Sequence, residues 1–195
     1  MTLNKLLFKI RERAVEILIQ KSRVLFYSLL SNIPLKAKKY QPVLSNGEGT
    51  IKIGKNVSFG VSYAPDYYSR YCYLNARREQ SYIEIGDNCW INNNAAIISD
   101  GKKIIIGKNC LIGTNFQAID SDFHDLNPEN RFGGKNIIKK DVIIEDNVFI
   151  GNDVTILKGV VVGENSVIGN HSVLTKSIPK NTVAAGNPAV VIRKI

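Results

Sequence analysis

Hydrophobic positions along the chain follow two different periods, and the first belongs to the N-terminal segment. Over residues 3–30 apolar side chains recur every three or four residues with charged residues between them, which predicts an amphipathic helix. The apolar stripe runs through Leu3, Leu7, Ile10, Ala14 and Leu18. Pro34 marks the end of the helical segment.

The second period is six residues and begins at residue 51, where segments of the form aliphatic–Gly–x–x–apolar recur. Counted in steps of six, one aliphatic row reads Ile85, Ile91, Ile97, then Ile106, Ile112, Ala118, then Ile144, Ile150, Ile156, Val162, Ile168 and Leu174. The row two residues earlier is small or apolar throughout and includes Cys89 and Cys110. This period is neither helical nor a simple strand alternation.

A six-residue period predicts a very short strand followed by a tight turn. Three such units close one triangular coil, and successive coils stack about 4.8 Å apart, like strands in a sheet. The aliphatic rows then point inward, and the Gly or Asn that follows lies at a corner that needs a positive φ or a close backbone approach. The predicted fold class is therefore all-β, a parallel β-helix of hexapeptide repeats.

The interruptions of the six-residue period identify candidate functional segments. Three extra residues near 100–103 predict a bulge, and about twenty residues leave the coil over 119–141 as one long loop. A loop of this length in a compact domain is typically functional. A third irregular stretch, residues 62–81, carries five of the eight tyrosines, which fits either a sugar-binding surface or ordinary packing.

Length and composition limit the function classes. The chain has 195 residues, enough for one sizeable core. We expect a basic helical segment at 1–40 and a β-helix domain at 41–195, with a C-terminal tail at 177–195. No apolar run approaches the roughly 20 residues that span a bilayer, and no signal-peptide cleavage site follows the apolar stretch. Three cysteines make no disulfide framework, so we expect a reducing, cytoplasmic location.

The net charge of +9 is concentrated at the N-terminal end. Residues 1–40 hold nine basic and two acidic side chains, which leaves the rest of the chain nearly neutral. A basic groove for nucleic acid across the fold is therefore not expected. The helix either packs on its own domain or a neighbouring subunit, or lies through residues 1–33 on the anionic inner surface of a membrane.

Several motifs appear in a fixed order in the second half of the chain. His124 lies in the long loop, Asn147–Gly151 (Asn-Val-Phe-Ile-Gly) resumes the repeat, and Val173–Lys176 and Ala185–Ala189 (Ala-Gly-Asn-Pro-Ala) follow. Over about residues 50–195 the chain thereby resembles the left-handed β-helix acyltransferases that use acetyl-CoA, most of all the branch of maltose, galactoside and surface-polysaccharide O-acetyltransferases. The resemblance implies a left-handed coil and a homotrimer with its active sites between subunits.

The resemblance also implies roles for particular residues. His124 would be the general base, a role that suits an imidazole because it titrates near neutral pH. Asp122, Asp120 or a backbone carbonyl would orient its ring. Trp90, Asn92 and Asp120 would contact the acceptor, although Asn92 also fits a simple corner residue of the coil. Acetyl-CoA would be bound by a larger set: Gly151, Asn152, Gly169, Asn170, Thr175, Lys176 and Arg193.

Two departures from the family pattern weaken the cofactor assignment. Asn170-His171 stands where a pair of small residues is usual, and Val190 stands where the family has an arginine. The expected reaction is acetyl transfer from acetyl-CoA to a sugar hydroxyl in surface-polysaccharide synthesis. The alternatives are N-acetylation of a nucleotide-linked amino sugar or an antibiotic, and a non-catalytic trimeric scaffold. A zinc carbonic anhydrase of similar fold is disfavoured, because the chain holds only two histidines, and no metal is expected.

Overall fold

The computed structural model describes residues 3–133 and 135–195, so that residues 1 and 2 of the basic segment and residue 134 of the long loop lie outside it. Its helical segments are α1 (Leu3–Val15), a π-helical stretch (Glu16–Lys21), α2 (Ser22–Leu30) and a short 3-10 turn (Pro128–Asn130). The strands are β1 (Lys38–Lys39), β2 (Val43–Gly47), β3 (Thr50–Ile53), β4 (Ser58–Phe59), β5 (Cys72–Ala76), β6 (Tyr82–Ile85), β7 (Trp90–Ile91), β8 (Ala96–Ser99), β9 (Lys103–Ile106), β10 (Leu111–Ile112), β11 (Gln117–Ile119), β12 (Val142–Ile144), β13 (Phe149–Ile150), β14 (Thr155–Ile156), β15 (Val161–Val162), β16 (Val167–Ile168), β17 (Val173–Leu174), β18 (Thr182–Gly186) and β19 (Ala189–Lys194).

The strands form the three faces of a triangular coil. Sheet A has the order β1-β4-β7-β10-β13-β16-β18-β19, sheet B β17-β14-β11-β8-β5-β2 and sheet C β15-β12-β9-β6-β3. Every pair is parallel except β18–β19, an antiparallel hairpin formed by the C-terminal tail. In the regular part, Phe149 pairs with Val167, 18 residues on. The coil begins at Lys38, earlier than the repeat is visible in the sequence.

The core is the space enclosed by the three faces. All twelve positions of the aliphatic row are buried, and so are the residues of the row two positions earlier. Burial of one Ile or Val side chain stabilises the fold by roughly 1.5–3 kcal/mol, and each ladder repeats this gain from coil to coil. The prediction of inward-facing rows is confirmed.

The corners of the coil are occupied mainly by Asn and Gly, and each residue type meets a different structural requirement. Asn residues at equivalent corners, such as Asn88, Asn109 and Asn165, have φ between 57° and 60°. Side-chain amides link neighbouring coils, as where Asn88 Nδ2 donates to Asn109 Oδ1 at 3.2 Å. The glycines after the aliphatic row serve close approach: a Cβ at Gly107 would lie 2.4 Å from Asp146 Oδ1. The expected close contact is thus met at the Gly directly after the row, whereas the positive φ lies two residues further on, at Asn.

Two of the predicted irregularities, the bulge and the long loop, occur where the repeat predicted them. The bulge lies between β8 and β9, and the long loop lies between β11 and β12. Leu111 pairs with Phe149, 38 residues on, which is 20 more than in the regular coil. The Tyr-rich stretch at 62–81 is only partly irregular, because it contains β5.

The N-terminal helix contacts the β-helix through a few residues near its middle. Gln20 is buried and its Nε2 donates to the backbone oxygens of Tyr40 and Tyr67 at 2.8 and 2.9 Å. Arg23 Nη2 donates to Arg70 O at 2.6 Å. By contrast, α1 has no buried residue. In the described part of the chain, no helix combines the length and the apolar character needed to cross a bilayer.

Candidate functional site

At the base of the long loop, residues 120–122 and 138–140 run antiparallel and are joined by hydrogen bonds. We call this pair of segments the clasp. Ser121 and Lys139 form an antiparallel bridge. On either side of it, Lys140 N donates to Asp120 O at 2.9 Å and Asp122 N donates to Ile138 O at 3.1 Å. The loop therefore leaves the coil at a fixed angle, and the residues just beyond the clasp are held in place.

Asp120 is part of this base, and its surroundings favour a structural role over the expected contact with a substrate or with the histidine ring. Its side chain is fully buried. Oδ2 accepts from Ser99 Oγ at 2.6 Å and from Lys102 N at 3.0 Å, and Oδ1 accepts from Asp100 N at 2.7 Å. Both carboxylate oxygens are thus used to hold the β8–β9 bulge, because a buried carboxylate is retained only where donors satisfy it.

Asp100 in the same bulge anchors the other end of the loop, and the sequence analysis did not identify it. Its carboxylate lies 2.7 Å from Lys139 Nζ and 3.0 Å from Arg78 Nε. Burial acts to raise the pKa of Asp100, but hydrogen bonds and charge attraction from Lys139 and Arg78 outweigh burial and leave the pKa lowered. The three-residue insertion at 100–103 was the only sequence signal that this position is special.

His124 lies directly beyond the clasp, exposed to solvent. Phe123 before it has φ 57°, and His124 N donates to Asp122 O at 2.7 Å, so the backbone turns sharply at this point. The ring nitrogen Nδ1 lies 3.2 Å from Arg131 O. A carbonyl oxygen can only accept, so this contact requires the proton on Nδ1 and leaves Nε2 with a free lone pair.

Of the three groups considered for orienting the ring, a backbone carbonyl, that of Arg131, contacts it in the structure. Asp122 has a different partner: Oδ1 lies 2.5 Å from Lys158 Nζ. Its other oxygen, Oδ2, is buried and has no hydrogen-bond partner among the described residues. Lys158, at the corner after β14, was not found from the sequence. It ties the segment carrying His124 to the next coil.

A second group of predicted residues lies on the outer face of sheet A. Trp90 and Asn92 line a cavity of about 260 Å³ together with Leu111, Phe149 and Asn152. Trp90 donates from Nε1 to Gly60 O at 3.1 Å and stacks on Tyr40 with ring centroids 6.0 Å apart. Leu111 and Phe149 were missed because the outward positions of a strand carry no periodic signal. His124 is not among the residues that line this cavity in one chain.

Asn92 lies at the edge of this cavity and also has a structural contact. Its Oδ1 accepts from Asn93 N at 2.7 Å, as expected for a residue that shapes its own turn. Both interpretations from the sequence, corner residue and acceptor contact, are therefore compatible with its position.

The residues expected to bind acetyl-CoA fall into two groups. Gly151, Asn152, Gly169 and Asn170 are corner residues: Asn152 Oδ1 accepts from Thr114 N at 3.0 Å, and Asn170 Oδ1 accepts from Asn152 N at 2.9 Å. Thr175, Lys176 and Arg193 are solvent-exposed. His171, next to Asn170, is also exposed, and its Nε2 lies 3.8 Å from Asp153 Oδ2.

The three cysteines are free and buried. Burial raises the pKa of Cys72 to about 12, and the pKa of Cys110 is also raised, through its contact with Cys89 and burial. Thiols with a raised pKa are poor nucleophiles. The contact with Cys110 lowers the pKa of Cys89, but Cys89 and Cys110 are both buried in the coil, which agrees with the expectation that they are core residues. Among residues 3–133 and 135–195, no three His, Cys, Asp or Glu side chains converge as metal ligands.

Comparison with known proteins agrees with this geometry. A family profile described as "Bacterial transferase hexapeptide (six repeats)" matches residues 141–176, and "Hexapeptide repeat of succinyl-transferase" matches residues 103–116. A hexapeptide-repeat containing acetyltransferase of Vibrio cholerae, solved with acetyl-coenzyme A, superimposes with a TM-score of 0.59 at 31% identity, covering 73% of this chain and 70% of that one. The chain belongs to the hexapeptide-repeat acetyltransferases.

Two relatives that are named as O-acetyltransferases are similar in sequence to this chain. It is 43% identical over 115 residues to galactoside O-acetyltransferase of Escherichia coli K12, covering 59% of this chain and 55% of that protein. It is 38% identical over 117 residues to polysialic acid O-acetyltransferase of E. coli O1:K1, covering 58% and 37%. The chain thus spans about half the length of the curated relatives that it matches. Membership of the acetyltransferases confirms the prediction of a left-handed β-helix.

Proposed function

We propose that the chain transfers an acetyl group from acetyl-CoA to a hydroxyl group of a sugar, with His124 as the general base. The observation that carries this proposal is the contact of His124 Nδ1 with Arg131 O at 3.2 Å. In the neutral ring this contact favours the tautomer in which Nε2 can accept a proton, on an exposed side chain next to the clasp. A non-catalytic trimeric scaffold, by contrast, needs no imidazole held in this way.

The chemistry follows from that tautomer. Nε2 takes the proton of the acceptor hydroxyl while its oxygen attacks the thioester carbonyl carbon. The carbon–sulfur bond then breaks, and the departing sulfur receives the proton back from the imidazolium. Arg131 O stabilises the imidazolium by accepting the Nδ1 hydrogen throughout, a role that a carboxylate has in other base-assisted transfers. The ion pair of Asp122 with Lys158 keeps the segment in place.

The donor assignment is supported by relatives and by charge. The V. cholerae neighbour was solved with acetyl-coenzyme A, and a galactoside acetyltransferase with 34% sequence identity was solved with coenzyme A. In this chain Lys176 and Arg193 are exposed cations, suited to the phosphates of coenzyme A.

The acceptor assignment rests on the relatives named as O-acetyltransferases and on the cavity at Trp90. An aromatic ring beside amide side chains, as at Trp90 with Asn92 and Asn152, suits a sugar, which has both apolar faces and hydroxyl groups. We place the reaction in surface-polysaccharide synthesis in the cytoplasm. Amino sugars and antibiotics are the acceptors that would indicate N-acetylation instead, and they belong in the same assay.

We further propose a homotrimer in which a second copy completes the site. In one chain His124 and the Trp90 cavity are separate. Sheet A also presents a row of exposed apolar side chains, Trp90, Leu111 and Phe149, on three neighbouring strands, as expected for a surface covered by another subunit. Sedimentation of a fully active monomer would contradict this arrangement.

We further propose that the N-terminal helix contacts an anionic membrane surface. Leu18 is 73% exposed, whereas Gln20, two residues on and therefore roughly opposite on the helix, is 2% exposed and bound to the β-helix. Leu25 and Leu29 flank Tyr27 in the same way. Leu18, Leu25 and Leu29 thus face away from the domain, and the basic residues Lys9 and Arg13 on α1 are exposed as well.

Binding to vesicles tests the membrane contact. Lys9→Glu with Arg13→Glu should weaken sedimentation with phosphatidylglycerol vesicles by at least about thirtyfold, since two basic residues that each contribute roughly 1 kcal/mol near an anionic surface are lost. The control, Lys55→Glu with Lys108→Glu, changes the formal charge equally on the β-helix and should bind as the native chain does. Equal loss in both variants would show a general charge effect.

The general-base assignment is tested by His124→Ala in an assay of thiol release from acetyl-CoA over a panel of sugars. Turnover should fall at least about a hundredfold, while acetyl-CoA binding measured by calorimetry stays unchanged. Lys158→Met should lower turnover less, because it only loosens the loop. Unchanged turnover in His124→Ala would remove the assignment, and transfer confined to amino groups would favour the N-acetyltransferase alternative.

A further inference from the structure

A second cavity lies between helix α2 and the start of sheet B, outside the site described above. Its volume is about 390 Å³, and its walls are formed by Tyr27, Arg70, Tyr71, Tyr73 and Asn94 with the neighbouring small residues. This volume falls within the range of small-molecule sites, about 300–1,000 Å³. Three of its five principal side chains are aromatic, and the other two carry planar hydrogen-bonding groups.

The walls of this tyrosine cavity are held in place from several sides. Tyr27 and Tyr71 pack with ring centroids 4.5 Å apart. Tyr73 Oη accepts from Asn75 Nδ2 at 2.6 Å, and the backbone oxygen of Arg70 accepts from Arg23 at 2.6 Å. A cavity with fixed walls loses little conformational freedom when a ligand binds.

The tyrosine cavity adjoins the Trp90 cavity through one short turn. Asn92 lines the Trp90 cavity and Asn94 lines the tyrosine cavity, so their Cα atoms, two steps of about 3.8 Å apart along the chain, are at most about 7.6 Å from each other. Asn93 between them is fully buried; its Nδ2 donates to Pro65 O at 2.8 Å, and its Oδ1 accepts from Val61 N at 3.0 Å. The spacing of the two cavities is therefore fixed.

We propose that the tyrosine cavity binds a second sugar residue of the acceptor, next to the residue that is acetylated. The acceptor is then an oligosaccharide and not a single sugar. Tyrosine rings pack against the apolar face of a sugar ring, while the guanidinium of Arg70 and the amide oxygen of Asn94 reach its hydroxyl groups. This inference rests on the proposed function for the placement of the first residue at Trp90.

The test compares acceptors of different length. Galactose with lactose, and sialic acid with its dimer and trimer, are titrated against the full chain by calorimetry and used as acceptors in the thiol-release assay. In at least one series the longer sugar should bind about tenfold more tightly. Arg70→Ala and Tyr71→Ala should each remove most of that advantage and leave the single sugar unchanged. Tyr63→Ala is the control, because Tyr63 lies in the same segment, is 97% exposed and does not line the cavity.

Each outcome decides the question. Binding that does not depend on length in either series, or a length advantage that survives both substitutions, overturns the proposal. Loss of affinity for single and longer sugars alike would show that Arg70 and Tyr71 act through the fold, and it also overturns it. Acetylation of a single sugar without any length dependence would leave the proposed function standing alone. Length-dependent binding without acetylation would support the tyrosine cavity and contradict the proposed function.

Discussion

Replacement of Asp120 separates a structural role from a role in substrate binding. In Asp120→Ala the three donors that the carboxylate satisfies, Ser99 Oγ, Asp100 N and Lys102 N, lose their acceptor in a place closed to solvent. A buried polar group left without a partner costs about 1–3 kcal/mol, so three of them set an upper limit of about 9 kcal/mol. Rotation of the serine hydroxyl and entry of water reduce this, and we expect a loss of about 3–5 kcal/mol.

Asp120→Asn is the matched variant. The amide oxygen keeps one acceptor, whereas the amide nitrogen stands where Lys102 N needs an acceptor, so one donor meets another. We expect the free energy of unfolding to fall by about 1–3 kcal/mol, less than in the alanine variant. Both values come from urea unfolding at one fixed protein concentration, because assembly makes stability depend on concentration.

The result that would refute this reasoning is equally specific. If Asp120→Ala unfolds at the same urea concentration as the native chain, while the KM for the acceptor rises, the carboxylate contacts substrate and its buried position does not describe the working protein. A loss of stability with a normal KM at temperatures where the variant is folded supports the structural role.

Three further predictions follow from other contacts. Gly151→Ala should lower the melting temperature, because its Cβ would lie 2.3 Å from Asn170 Oδ1 and overpacking of this kind costs about 1–3 kcal/mol; an unchanged melting temperature would contradict the close-approach argument. Cys72 should not react with a thiol reagent at pH 8 until the chain is unfolded, since burial raises its pKa to about 12; reaction of the folded chain would show that the thiol is accessible. Because the folded pKa of Asp100 is lowered by Lys139 and Arg78, its ionised form adds stability above the ordinary pKa of about 3.9. The excess stability of the native chain over Asp100→Asn should therefore be constant near neutral pH and shrink as the pH falls below about 4, and a difference that does not change on acidification would show that charge is not its source.

The candidate site was predictable only where a residue type or an interruption of the repeat marked it. His124 stood out as one of two histidines, in the longest interruption of the period. The contact of its ring with Arg131 O could not be read from the sequence, because a backbone carbonyl exists at every position and only the path of the loop selects one. Asp120 and Asp122 are two residues apart in the sequence, yet one is fully buried and the other pairs with Lys158. Their different roles depend on which neighbours the clasp brings near.

The amino-acid sequence by itself determined the coil, its inward rows and the positions of the bulge and the long loop. With a period of six, the Ile and Val side chains can be buried only by pointing into a coil of short strands. Every coil repeats the same pattern of a short strand followed by a tight turn. The tertiary structure alone decided which carboxylate is buried, which carbonyl contacts the imidazole and which residues line the two cavities. Those features come from residues far apart in the chain, such as Asp122 with Lys158 and Tyr27 with Tyr71, whose approach depends on the stacking of whole coils and the docking of the helix.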